Sequence, residues 1–273
     1  MFTDITKHLL RDLYIRQKLS TWQIEKKTGR SRSLIYSKLK DFGIKPRSIS
    51  DSHIRYTKKD FSGNLIEKAY IVGFTLGDLR VRKSGGENSK TISIGCASTK
   101  LAQISLFKKL FSRYGHIWES QPSSRGVVNV EAFVNLSFRF LLPKTINNHR
   151  WILRSNKHFL SFLAGFTDAD GSVFINSRGR AVISWGNYNS HLLEGIKFKL
   201  EKLGIVTGSL ICDHLKGYQG KDGYRRKADY YHLTCQAKTS IVRLLGLLGP
   251  LLKHSDRINC LKKALKVLNR LKL

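Results

Sequence analysis

Two acidic residues stand where a carboxylate is costly. Asp170 closes the apolar, small-residue run within "LSFLAGFTDADGSVFI" (160–175), and Asp78 closes a second run, "AYIVGFTLGDLRV" (69–81). Residues 69–81 align without a gap on 161–173, an offset of 92, so the two acids occupy the same place in an internal repeat. Each run reads as a buried helix, and its C-terminus is the negative end of the helix dipole. If the helices pack together, the carboxylates also repel each other, so a positive partner is required. Oxygen donors of this kind suit hard divalent cations, Mg²⁺ above all, held by Asp78, Asp170 and the last free carbonyls of the helices, those of Gly77 and Ala169. Asp168 aligns with Leu76 of the first copy, so it has no counterpart there and is read as an auxiliary polar residue.

The elements that would bring the acids together follow from the same repeat. Gly73 and Gly77, and likewise Gly165 and Ala169, lie four apart on one helical face, where small residues let two backbones approach closely. After each run come two alternating segments, a helix and two further extended segments. These are "LRVRKS", "KTISIGCAS", "KLAQISLFKKLFSRYG", "HIWESQ" and "VVNVEAFVNLS" in the first copy. In the second they are "GSVFINS", "RAVISWGN", "SHLLEGIKFKLEKLG", "GSLICDHL" and "ADYYHLTCQ". The expectation is an α+β fold of two pseudo-symmetric αββαββα halves, 64–150 and 151–273. In the strand after each acid, alternation turns Leu79, Val81, Val173 and Ile175 to the core. Arg80, Arg82, Ser172, Phe174 and Asn176 then face outward, with Arg178 in the turn beyond.

The first 50 residues read as three short helices with their own apolar pattern: Ile5, Leu9, Leu10, Leu13 and Ile15, then Leu34, Ile35, Leu39 and Phe42. Ser20 and Gln23 form a capping box, and Gly29 breaks the chain before "RSRS" opens the next helix. This is the layout of a small all-α helix-turn-helix module (1–50), with Arg30, Arg32 and Ser33 at the start of the second helix as candidate DNA contacts. Residues 51–63 read as a linker. The formal charge of the whole chain is +30, with 49 Lys and Arg against 19 Asp and Glu, and points to nucleic acid. Residues 1–60 alone carry 15 basic and 6 acidic side chains. The longest apolar run, "LLGLLGPLL", is too short for a bilayer, and no signal peptide is visible. The four cysteines form no CxxC pair, which suggests free thiols inside a reducing compartment, a prokaryotic cytoplasm or an organelle.

"LAGFTDADG" (163–171) resembles the signature of the LAGLIDADG homing endonucleases, and "IVGFTLGDL" (71–79) is similar to the degenerate first copy of a single-chain member. The resemblance covers about residues 64–273 and excludes the N-terminal module. It implies saddle-shaped antiparallel sheets on the DNA major groove, a monomer, and two or three cations between the last acids of the two motifs. It also implies metal-dependent hydrolysis of both strands of a long, asymmetric site. Lys238, after "DYYHLTC", resembles the family's active-site lysine in placement; the first half offers only Arg139 or Lys144. The basic amphipathic segment "RINCLKKALKVLNRLK" would flank the catalytic unit. The same fold also serves a non-catalytic DNA-binding regulator or an RNA maturase, in which case RNA is a further partner. Retention of both acids argues against a pure regulator.

Overall fold

The computed structural model describes residues 4–47, 56–86, 88–220, 223 and 225–270. Part of the linker expectation, residues 51–55, therefore lies outside the described residues. The chain divides into two compact units, 1–57 with 86–90, and 58–85 with 91–273.

In the N-terminal unit, α1 (Lys7–Leu10) runs into a π-helical stretch, Arg11–Arg16, followed by α2 (Thr21–Thr28) and α3 (Arg32–Asp41). Ser20 and Gln23 form the reciprocal capping box of α2, Gly29 ends that helix at φ 73°, and Ser31 caps α3. Leu10, Leu13, Tyr14, Ile24, Ile35, Leu39 and Ile44 form a core of their own. Two residues expected there are outside it, Ile15 at 50 % exposure and Leu34 at 38 %. The π-helical stretch adds a residue per turn, so positions after Leu10 rotate away from a 3.6-residue pattern, which accounts for Ile15.

The second unit is built from the repeat. Helix α4 (Leu65–Asp78), capped by Asn64, leads into β1 (Arg80–Lys83), β2 (Ile92–Ser98), α5 (Leu101–Phe111), β3 (His116–Glu119) and β4 (Val128–Val134). Helix α7 (Asn156–Asp170) leads into β5 (Gly171–Ile175), β6 (Ala181–Asn187), α8 (Ser190–Lys202), β7 (Ile211–His214) and β8 (Tyr230–Cys235). The two four-stranded antiparallel sheets have equivalent orders, β1-β2-β4-β3 and β5-β6-β8-β7. The halves differ after their sheets. The first continues as two short 3₁₀ stretches, 136–141 and 146–149, and the five-residue α6 (Arg150–Arg154); the second ends in α9 (Lys238–Leu248) and α10 (Ser255–Arg270). The α+β class and the duplicated αββαββ order expected from the repeat are thus present, with helices longer than five residues closing the second half and only α6 closing the first.

Both halves share one continuous core. Its centre is the seam between α4 and α7, where Tyr70, Phe74, Phe159, Phe162 and Phe166 are fully buried. Each such side chain contributes about 1.5–3 kcal/mol through burial alone. The glycines set the spacing of the helices. A Cβ on Gly73 would come within 1.9 Å of the Phe162 carbonyl oxygen, and one on Gly165 within 2.0 Å of the Tyr70 carbonyl oxygen. The seam is also pinned by polar bonds from α7: the Ser161 hydroxyl donates to the Ile66 carbonyl at 2.7 Å.

Candidate active site

Asp78 and Asp170 end the two seam helices, and the close glycine packing carries them to the same point. A Cβ on Gly77 would stand 2.5 Å from the Ala169 Cβ and 3.2 Å from the Asp170 carboxyl carbon. Each carboxylate receives one amide N–H. Gln103 Nε2 donates to Asp78 Oδ2 at 2.6 Å, and Asn187 Nδ2 donates to Asp170 Oδ2 at 2.7 Å. The Asn187 amide is held in that sense because its own oxygen accepts the Asn189 N–H at 2.9 Å.

The electrostatics express the crowding. Burial, followed by the negative charge of Asp78, pushes the Asp170 carboxyl up to about 7, against the Asn187 bond and Arg257. Burial also raises Asp78, opposed by Arg257, the Gln103 bond and Lys100. Two adjacent acids, Asp170 half-buried and Asp78 open to solvent, with hard oxygen donors and too little compensating charge fit a divalent cation, and the carbonyls of Gly77 and Ala169 lie one residue before them. Among the described residues no cluster of three His, Cys, Asp or Glu exists, so any such ion rests on the two carboxylates, backbone oxygen and water.

Asp168 is more than an auxiliary polar residue. It is completely buried, and its Oδ2 accepts from the Tyr70 hydroxyl of α4, the Lys253 N–H at 2.7 Å and the His254 N–H at 3.1 Å. One carboxylate therefore ties both seam helices to the start of α10.

The remaining candidates are dispersed over the surface. Arg80 and Arg82 are exposed on β1, and Arg82 is paired with Glu131 of β4 at 3.1 Å. On β5, Ser172 is half-buried and Phe174 is 43 % exposed, as alternation requires. Ile175, expected in the core, is 37 % exposed because the strand ends there. Asn176 does not present its whole side chain outward; its Oδ1 accepts the backbone N–H groups of Arg178 and Arg180, both at 3.0 Å, and shapes the β5–β6 turn. Arg178 is exposed in that turn. In the N-terminal unit Arg30 pairs with Asp4 at 3.3 Å and Arg32 with Glu25 at 3.1 Å, while Ser33 is exposed on α3. Lys238 is exposed at the first position of α9. Lys144 Nζ donates to the Leu79 carbonyl at 3.3 Å, next to Asp78, whereas Arg139 lines a cleft with Lys68 and Lys83.

Sequence reasoning missed Gln103, Asn187, Tyr70 and Arg257. Gln103 did leave a signal, since it is a polar residue on the otherwise apolar inner face of α5 with Ile104, Phe107 and Leu110. Arg257 left none, because its place depends on how α10 docks.

Comparison with known proteins places a name on part of this architecture. Residues 159–249 match the family model described as a LAGLIDADG-like domain. The uncharacterized protein MJ0314 of Methanocaldococcus jannaschii is 29 % identical over 203 residues, which cover 68 % of this chain and 72 % of that one. Among solved structures, the homing endonuclease I-DmoI in complex with DNA and manganese is 18 % identical, over 68 % of this chain and 98 % of that one, with a TM-score of 0.47. Full-length DUF199/WhiA of Thermotoga maritima is 14 % identical, over 79 % of this chain and 63 % of that one, with a TM-score of 0.49.

Proposed function

We propose that this chain, whose residues 159–249 match the model of the LAGLIDADG-like domain, is a metal-dependent, site-specific endonuclease that cuts both strands of double-stranded DNA. The observation that carries this reading is the meeting of Asp78 and Asp170 at the ends of the two seam helices. Divalent cations bound there, Mg²⁺ in the first instance, would supply an activated water and stabilise the leaving oxygen. Asp78 and Asp170, with the backbone carbonyls of Gly77 and Ala169, are the groups that would hold such ions. Gln103 and Asn187 fix the orientation of the two carboxylates. Lys238 in the second half and Lys144 in the first are the basic groups suited to stabilise charge developing on a phosphate.

The exposed strand residues Arg80, Arg82, Ser172 and Phe174, with Arg178 at the turn, would lie in the major groove, where Arg recognises guanine through two hydrogen bonds. Arg82 is paired with Glu131 in the absence of DNA. In the N-terminal unit Ser33 and the start of α3 would meet flanking DNA, with Arg30 and Arg32 released from Asp4 and Glu25 on contact with phosphate. The charge of +30 supports an extended phosphate footprint.

Selection of cleaved sites from a randomised duplex library tests the reading. Cleavage in Mg²⁺ but not in Ca²⁺ is expected, and Asp78→Asn or Asp170→Asn should abolish it with affinity by gel shift equal or better. Cutting that survives both substitutions would remove the metal assignment, and binding without cutting in any divalent ion would favour a regulator.

A further inference from the structure

We infer that the hydroxyl of Tyr230 is a further catalytic group, a hydrogen-bond donor to the phosphate cut beside Asp170, and that it serves the second half alone. The inference rests on the nuclease reading and deepens it.

The placement follows from the ladder of the second sheet. Gly171 pairs with Trp185, so Asp170 and Gly186 come next along the same two segments, and Asn187 bonds Asp170 from that end of β6. Ser172 pairs with Ser184, and Gly186 pairs with His232. By alternation, Ser184, Gly186, Tyr230 and His232 therefore share the outer face on which Ser172 and Phe174 lie. Tyr230 leans across that face onto Gly186. A Cβ there would stand 2.2 Å from the Tyr230 hydroxyl oxygen and 2.8 Å from His232 Nε2. The phenol thus fills the hollow left by the missing side chain, beside the residue that follows Asp170 across the ladder.

The ring is held on three sides. Tyr188 meets it at 5.0 Å and 66°, His232 at 5.3 Å and 79°, and the Arg226 guanidinium lies 5.5 Å from its centre. These neighbours are themselves fixed, since Arg226 Nη1 donates to the Tyr188 hydroxyl at 3.1 Å and Asp213 Oδ2 holds His232 Nδ1 at 2.6 Å. Among the described residues the Tyr230 hydroxyl bonds no protein acceptor, although the residue is half-buried. A donor oriented in this way and left unpartnered suits an acceptor that arrives with the substrate. Burial and then the charge of Asp170 raise the phenol above its ordinary value, so it stays protonated and able to donate. The first half has no such group. Arg80, the repeat counterpart of Ser172, pairs with Gly95, which makes Ala97 the counterpart of Gly186 and Val127 that of Tyr230.

The test uses the full chain and a duplex that it cuts, labelled at both ends, with single-turnover rates in Mg²⁺ and affinity by gel shift in Ca²⁺. Tyr230→Phe keeps the ring packing and should slow hydrolysis of one strand about tenfold or more, the usual loss for a hydrogen bond to a charged group, with the other strand little changed. Gly186→Ala, whose Cβ displaces the hydroxyl, should slow the same strand and add little to Tyr230→Phe. In Ca²⁺, a methylphosphonate at that strand's scissile phosphate should weaken wild-type binding more than it weakens Tyr230→Phe, and one at the other strand's should not discriminate. A folded Tyr230→Phe protein that cuts both strands at wild-type rates, or slows both equally, overturns the inference while leaving the nuclease reading intact. If the wild type cuts no duplex in Mg²⁺, the nuclease reading fails and this inference falls with it.

Discussion

Gly73 faces the carbonyl of Phe162 just as Gly165 faces the carbonyl of Tyr70, and both pairs are related by the same offset of 92 residues. The seam is therefore a symmetric contact in which each half supplies one glycine and one aromatic backbone. Gly73→Ala or Gly165→Ala would force the helices apart, since backbone, unlike a flexible side chain, cannot yield locally. Each should cost about 1–3 kcal/mol or more as overpacking of a tight core. Urea titration with m-values checks this. Gly246→Ala, exposed inside α9 with open space around it, should stabilise by about 0.5–1 kcal/mol through helix propensity and serves as the control of opposite sign.

Asp170 gives a pH dependence with a definite sign. Its carboxyl is raised to about 7 in the folded state from 3.8, so the folded protein binds that proton more tightly than the unfolded chain does. The metal-free protein should gain stability as pH falls from 8 to 5.5, by about 2 kcal/mol from this group. Burial lowers His149 and His254, whose contributions run the other way, so the measured quantity is the difference between wild type and Asp170→Asn. The difference between the thermal melts of the two proteins should grow as pH rises from about 4 to about 7 and level off above it. Millimolar Mg²⁺ should raise the wild-type melting temperature most at pH 8, where the carboxylate is bare.

The two basic candidates, Lys238 and Lys144, sit in different local settings, one opening a helix and the other bonded to the Leu79 carbonyl. Lys238→Met and Lys144→Met should each slow one strand's hydrolysis more than the other's, by about 100-fold to 1000-fold, the usual effect of losing an electrostatic transition-state group. Nicked duplex should accumulate, with opposite strands intact in the two variants. A denaturing gel of doubly end-labelled substrate reports each strand, and equal slowing of both strands would assign a shared role instead.

Removal of residues 1–50 deletes a unit with its own core and leaves the seam untouched. The shortened protein should fold, cut more weakly and protect a shorter stretch of DNA. Its binding should also depend less on salt, the slope of log K against log salt falling by about 0.9 for each phosphate that the module would have neutralised. Footprinting and a salt titration check both, and an unchanged footprint would place the module off the DNA.

Most of the fold was legible because it rests on repetition and period. The alignment of 69–81 on 161–173 identified the seam glycines and the paired acids, and strand alternation assigned Leu79, Val173 and Phe174 to their faces. What escaped depends on interactions that no local pattern encodes. Ile15 was misplaced because a π-helical stretch changes the turn, and Ile175 because it is the last residue of its strand. Asp168 was undervalued because its partners, Tyr70 and the 253–254 backbone, are about 85 to 98 residues away in sequence. Arg257 could not be found for the same reason, since the docking of α10 decides its neighbours.

The seam has a consequence for the chain while it is being made. Asp78 leaves the ribosome 92 residues before Asp170, and its half has no second acid to meet until α7 has been synthesised and has docked glycine to carbonyl against α4. An incomplete chain that ends before α7 lacks the pair. Under the nuclease reading, a truncated or stalled product is harmless to the genome that encodes it, because the reactive centre comes into being only when the two halves close on each other.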